Sequence, residues 1–139
     1  MAVHGSFLRL STSGNGEMLD LTDGVARVVL SAGVIDGVAT VFAVGATVAV
    51  TTIEFEPGAV ADFAVLLERL VPGRGAYEYN RLNHDTNAHA HLRAALIGPS
   101  ESIPVVGGRL ALGTWQQIFH LECDVTSRER EIVVTVVGE

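Results

Sequence analysis

Residues 37–70 read GVATVFAVGATVAVTTIEFEPGAVADFAVLLERL. Two β-branched runs, Gly37 to Val44 and Thr47 to Phe55, are separated only by Gly45-Ala46. Val, Thr and Ile crowd the preceding turn of a helix but suit a pleated strand, so both runs are expected as adjacent, buried strands. Pro57-Gly58 ends the second run. Val60, Phe63, Leu66, Leu67 and Leu70 then recur at three- and four-residue steps, the apolar face of a helix that stops before Pro72-Gly73. Two strands and a helix joined this tightly point to an α+β fold.

Working outward, Ser6 to Leu10 alternates as a strand, and Ser11 to Gly16 is a turn by composition. Thr22 is a candidate N-cap for a helix with Val25, Val28, Val29 and Ala32 on one face and Gly33 as its stop. Downstream, Gly73 to Thr86 reads as a loop and His91 to Ile97 as a short helix. Ile103 to Val106, Gly107-Gly108 and Arg109 to Leu112 form a hairpin pattern. Gln117 to Asp124 and Ile132 to Val137 are two more strands, joined by the polar turn Val125 to Arg130. The expectation is one domain over residues 1–139, a mostly antiparallel sheet with two main helices and one short helix.

Composition excludes several function classes. All nine basic residues are Arg, against 16 acidic ones, for a net charge of −7. Without lysine there is no Schiff base and no P-loop. Without a basic stripe, nucleic acid is not an expected partner. No apolar run reaches the roughly 18 residues that span a bilayer, so no membrane segment is expected. The first residues lack a basic region followed by an apolar core, and Cys123 is alone, so the expected location is the cytoplasm. A hydrophobic content of 48% in so short a chain is also what buried contacts between subunits require.

The polar residues gather between Asn87 and Gln116. His89 and His91, two apart, share one side of a strand but diverge by about 200° on a helix. Asn87 reads as a helix N-cap, which leaves one histidine for a site, and His91 is favoured because it leads directly into the apolar helix. The other reading makes one ring a solvated group and its neighbour a buried one. Glu54 is a candidate base or metal ligand at its strand end, or merely solvated there. Gly98-Pro99-Ser100 can offer backbone N–H groups to an anion, or serve as an ordinary turn. Trp115 is a core anchor or a stacking platform. Gln116 orients a ligand or satisfies a backbone group. Arg74, Arg81 and Arg93 have the guanidinium fork that holds phosphate.

Three segments carry a family resemblance: Gly108 to Ile118 (GRLALGTWQQI), Ala90 to Ser100 (AHLRAALIGPS) and Thr51 to Gly58 (TTIEFEPG). Together with Ile103-Pro104-Val105 and Arg128 to Gly138 they resemble the YjbQ-like family, often labelled secondary thiamine-phosphate synthases. The resemblance covers nearly the whole chain. It implies a compact α+β homotrimer with a site near subunit interfaces, where histidines gather and a divalent metal such as zinc can bind. It also implies weak thiamine-phosphate synthesis, in which a pyrimidine methyl diphosphate joins a thiazole phosphate. Two of three expected histidines are replaced here, by Gly45 and Tyr79, and His91 remains.

Two functions follow as expectations. The first is an interfacial site for a small anionic ligand, a phosphorylated heterocycle, with transferase activity of the thiamine-phosphate synthase type. His91 and Glu54 would do its chemistry, with His91 and His89 as metal ligands. Asn87, Arg93, Gly98, Ser100, Trp115 and Gln116 would contact the ligand. The second is a non-catalytic homotrimer, a binding or structural protein that has lost the family's histidine site.

Overall fold

The computed structural model covers residues 1–139. Its strands are β1 (Ala2–Thr12), β2 (Met18–Asp20), β3 (Gly37–Val44), β4 (Val48–Ile53), β5 (Ser100–Val106), β6 (Arg109–Leu110), β7 (Gln117–Glu122) and β8 (Arg128–Gly138). Its helices are α1 (Thr22–Ala32), α2 (Pro57–Leu70), α3 (Glu78–Asn83) and α4 (Ala88–Ile97). All strand pairs are antiparallel, in a five-stranded sheet of order β1-β8-β3-β5-β6 and a three-stranded sheet of order β2-β7-β4.

The α+β class is as expected, but the layering is not what adjacent strands imply. β3 and β4 do not pair, because the chain crosses from the large sheet to the small one at Gly45 to Thr47. β7 and β8 likewise lie in different sheets. Alternation explains the division. The inward face of the large sheet carries Ala39, Val41, Ile103, Val105, Ile132, Val134 and Val136, all buried. The small sheet is buried on both faces, as a middle layer must be. Val48, Val50 and Ile118 meet the large sheet and α1, while Ala49, Phe119, Leu121 and Cys123 meet α2 and α4.

Local chemistry moves several boundaries. Thr22 opens α1 rather than capping it; the Asp20 carboxylate takes the Thr22 N–H at 2.9 Å. Pro57 begins α2 instead of merely closing a strand, since Glu56 caps the helix by accepting from Gly58 and Ala59. Only Leu67 of α2 is fully buried, and Leu66 and Leu70 stay exposed. The stretch expected as a loop contains α3, stopped by His84 in the left-handed region. With α3 there are four helices where three were expected, and the short helix begins at Ala88, three residues early. Arg109 to Leu112 shortens to the two residues of β6.

The outward face of the large sheet has no covering layer. Val3 and Phe7 of β1, Val38, Phe42 and Val44 of β3, and Val106 of β5 are all exposed there. The pairing register puts Val133 beside Phe42 and Val137 beside Val38 on the same face. An antiparallel sheet with one wet side shows polar residues outward. This one shows valine and phenylalanine.

Candidate functional site

Buried polar groups lie where β7 leaves the small sheet. Ile118, His120, Glu122 and Asp124 share one side by alternation, so an apolar strand delivers one imidazole and two carboxylates into the protein. Glu122, fully buried, accepts from Arg130 Nε (2.6 Å) and Nη2 (2.7 Å), from Thr12 Oγ1 (2.7 Å) and from the Asp124 N–H (3.2 Å). Burial works to raise its pKa, but the bonds from Arg130, Thr12 and the backbone hold it below the ordinary carboxylate range. Asp124 accepts from Thr47 Oγ1 (3.0 Å), Arg128 (3.1 Å), the Val125 N–H (2.8 Å) and Asn87 Nδ2 (3.4 Å). This network ties β1, β7 and β8 to the Gly45 crossover and, through Asn87, to the start of α4.

Asn87 occupies the N-cap position of α4 but does not cap it, since its amide is spent on Asp124 and its Oδ1 has no partner. The two histidines diverge as helical spacing requires. His89 turns inward and is buried; burial, then the charge of Arg93, push its pKa down, so it is neutral at pH 7. His89 Nδ1 has no hydrogen-bond partner. His91 turns outward, half-buried, its ring 4.7 Å from Tyr79 and tilted by 47°. Tyr77, Tyr79, Leu92 and His91 border a cavity of about 260 Å³. Arg93 is not free to hold an anion: it donates to the Val71 carbonyl (2.7 and 2.9 Å) and to Glu68 (2.8 Å). Arg81 pairs with Glu78, while Arg74 has no acidic partner within 4.0 Å. Arg74 stands on the loop that Tyr77 ties down through its hydroxyl to the Pro72 carbonyl (2.6 Å).

The other expected residues lie elsewhere. Glu54 is exposed just beyond the Ile53–Gln117 pair. Trp115 is 71% exposed, so it is no core anchor. Gln116 accepts from the Gly113 N–H (3.1 Å) and donates to Thr52 Oγ1 (3.2 Å). Gly98 and Pro99 use their carbonyls to receive Val50 N–H and Ala43 N–H, stitching both sheets, and Ser100 is exposed at the start of β5. Near them, Thr51, Thr52, Ile53, Phe63, Ile97 and Phe119 line a cavity of about 430 Å³.

The structure therefore divides the expected site. Asn87 meets Asp124 beyond the Val48–Glu122 end of the small sheet, and Glu54 and Gln116 lie past its Ile53–Gln117 end. Five residues of strand span about 17 Å, so His91 and Glu54 do not meet within one chain. No group of three His, Cys, Asp or Glu side chains is placed to hold a metal ion. Sequence reading missed the Glu122–Arg130 network, because its members are scattered from Thr12 to Arg130. The available signal was two carboxylates on the inward parity of an apolar strand.

The family description that matches residues 6–139 is "UPF0047 protein YjbQ-like". The chain belongs to the YjbQ-like family. A YjbQ-like relative from Methanothermobacter thermautotrophicus, named only as a UPF0047 protein, is 40% identical over 139 residues, all of this chain and 95% of the relative. Another, from Archaeoglobus fulgidus, is 43% identical over 91% of this chain and 96% of its own length. Among solved structures, a hypothetical protein from Aeropyrum pernix superposes with a TM-score of 0.91 at 36% identity, covering 98% of this chain and 99% of its own. A protein of unknown function from Sulfolobus solfataricus gives 0.89 at 32% identity, over 99% and 100%.

The positions where this YjbQ-like chain departs from the histidine pattern now have a setting. Tyr79 packs against His91 with the ring planes tilted by 47°, so two of the three positions that the resemblance singles out are neighbours. Gly45 has φ 151°, and a Cβ there would lie 3.0 Å from Arg130 Nη1 and 3.2 Å from Val48 Cγ2. Space for a side chain at position 45 is taken by the guanidinium that neutralises Glu122. A histidine there would strain the backbone and displace Arg130.

Proposed function

We propose that this YjbQ-like protein is a homotrimer that binds a small anionic ligand, a phosphorylated heterocycle, beside His91 at a boundary between subunits. The observation that carries the reading is the His91–Tyr79 pair at the edge of a cavity with Tyr77 and Leu92. Two aromatic rings packed against each other at a cavity mouth offer an apolar edge to a heterocycle. At about 260 Å³ the cavity falls below the roughly 300–1,000 Å³ of a complete small-molecule site, which favours completion by a second subunit. The uncovered apolar sheet supports association. The cavity's own carboxylate, Glu78, is held by Arg81, and Arg74, outside the lining but on the loop that leads to Tyr77, is a cation with no acidic partner.

The residues do not fit a zinc site within one chain, since His91 has no second and third ligand. Transfer of a pyrimidine from a diphosphate needs several cations around the leaving group. Arg81 and Arg93 are neutralised by Glu78 and Glu68, so binding without catalysis is favoured over transferase activity.

Thermal unfolding with thiamine phosphate as the probe, and inorganic pyrophosphate as its ring-free counterpart, tests this. Thiamine phosphate at a hundred times its dissociation constant is expected to stabilise by about 2.7 kcal/mol. Most of that should vanish in His91→Ala. An unchanged response in that variant, or none in the wild-type protein, would overturn the reading.

A further inference from the structure

We propose that the cavity between β4, α2 and α4 is a second binding site, specific for a small planar aromatic cation such as an aryl amidine or arylamine. It is independent of the His91 cavity, which lies at the other end of the small sheet.

Its wall is aromatic. Phe119 is buried at the base of the cavity, with Phe63 edge-on at 6.0 Å and 90°. Ile53 and Ile97 complete an apolar slot of about 430 Å³, within the range of small-molecule sites. Such walls accept a flat ring, and aromatic faces attract a cation.

Its polar groups are few and have open valences. The Thr52 hydroxyl is on the other face of β4, where it accepts from Gln116, so Thr52 meets the cavity with its backbone. The Thr51 hydroxyl donates to Glu101 Oε1 at 3.2 Å, leaving its lone pairs to accept. Val50 N–H points away from β7 to the Gly98 carbonyl, so by alternation Thr52 also turns its backbone N–H and C=O to the free edge of β4.

The charge fixes the class of ligand. Glu101 is half-buried on the inner side of β5, directly behind Thr51, and no Arg or His nitrogen lies within 4.0 Å of it. Thr51 is its only side-chain hydrogen-bond donor. The other buried carboxylates, Glu122 and Asp124, each hold an arginine. Glu101 does not itself line the slot but stands one hydrogen bond behind its Thr51 wall, and a half-buried carboxylate there without a counter-cation favours an N–H-bearing cation over an anion.

The test is a solution NMR titration of the full chain with benzamidine, beside benzoate as the charge-reversed ring of similar shape. Benzamidine is expected to give saturable shifts confined to Thr51, Ile53, Phe63, Ile97 and Phe119, with benzoate at least tenfold weaker. Glu101→Gln should weaken benzamidine about tenfold, while Thr51→Val keeps the charge and weakens it less. Equal binding of the two rings, shifts centred on Tyr79 and His91, or benzamidine affinity unchanged in Glu101→Gln would each overturn the proposal. Thermal unfolding of both variants confirms that they are folded before the titration is read.

Discussion

His120 enters the space between the two sheets fully buried, with neither ring nitrogen hydrogen-bonded. Burial pushes its pKa down to about 4, and the opposing charges of Glu122 and Arg130 change that little. In the unfolded chain the ring takes up its proton near 6.5, in the folded protein only near 4. The unfolded state therefore binds more protons between those values, so stability falls as pH drops from 6.5 towards 4. The loss from this residue approaches about 3 kcal/mol. His120→Leu removes the orphaned nitrogens and is expected to be neutral or stabilising at pH 7. Urea midpoints at pH 7 and pH 4.5 check it: the variant should lose distinctly less on acidification, and parallel losses would show that His120 is not the group responsible. His89, also held neutral by burial, adds a smaller slope of the same sign. The divergence of His89 and His91 was readable from their spacing once α4 was recognised as a helix. The orphaned state of His120 was not, since it depends on what Leu19 and Val50, its neighbours across β2 and β4, fail to offer.

Among the elements, β3 and β8 meet most closely at Gly37 and Gly138. A Cβ on Gly37 would fall 2.0 Å from the Val137 carbonyl oxygen and 2.8 Å from Gly138 Cα. Gly37→Ala must pry β3 from β8 and is expected to cost about 3 kcal/mol, the upper range for overpacking. Gly5→Ala on β1, where nothing lies within 4 Å, should be neutral or slightly stabilising. Denaturant unfolding of the pair distinguishes them, and equal stabilities would show that the strands part without cost. Seven of the eight strands were legible from β-branched or alternating runs, β3 to the residue; β2 was missed, and β1 and β8 extend through Ser11-Thr12 and residues 128–130, which composition assigns to turns. The sheet assignment of the strands was not legible. Gly45-Ala46 reads equally well as a hairpin turn or a crossover, and only the burial of both β4 faces decides for the latter. α3 escaped notice because its six residues, EYNRLN, bury nothing and so carry no apolar stripe.

At the scale of the whole molecule, the outward face of the large sheet is the surface on which the proposed homotrimer would assemble. Phe42 stands on the central strand of that face. In solution the wild-type protein is expected at three times its 14.7 kDa. Phe42→Glu, which puts a charge in the middle of the apolar patch, should lower the mass without loss of secondary structure. Light scattering coupled to size exclusion, with circular dichroism, measures both. A wild-type monomer would mean that the patch is solvated and the trimer reading is wrong. Family membership and the α+β class were legible from Gly108 to Ile118 and the β-branched runs. The separation of His91 from Glu54 was not, because it is set by the β4–β7 register.

The place of β8 has a consequence for how the protein is made. Residues 128–138 form the strand between β1, at residues 2–12, and β3, at residues 37–44. A nascent chain that has exposed both flanking strands still lacks the one that joins them. β3 can pair with β5 once residues 100–106 have emerged, but β1 has no partner in the sheet until residues 128–138 are translated. Closing pairs so distant in the chain is intrinsically slow. The small sheet and the β3–β5–β6 half of the large one can thus form first, and the edge strand β1 is the element left waiting until β8 closes the sheet.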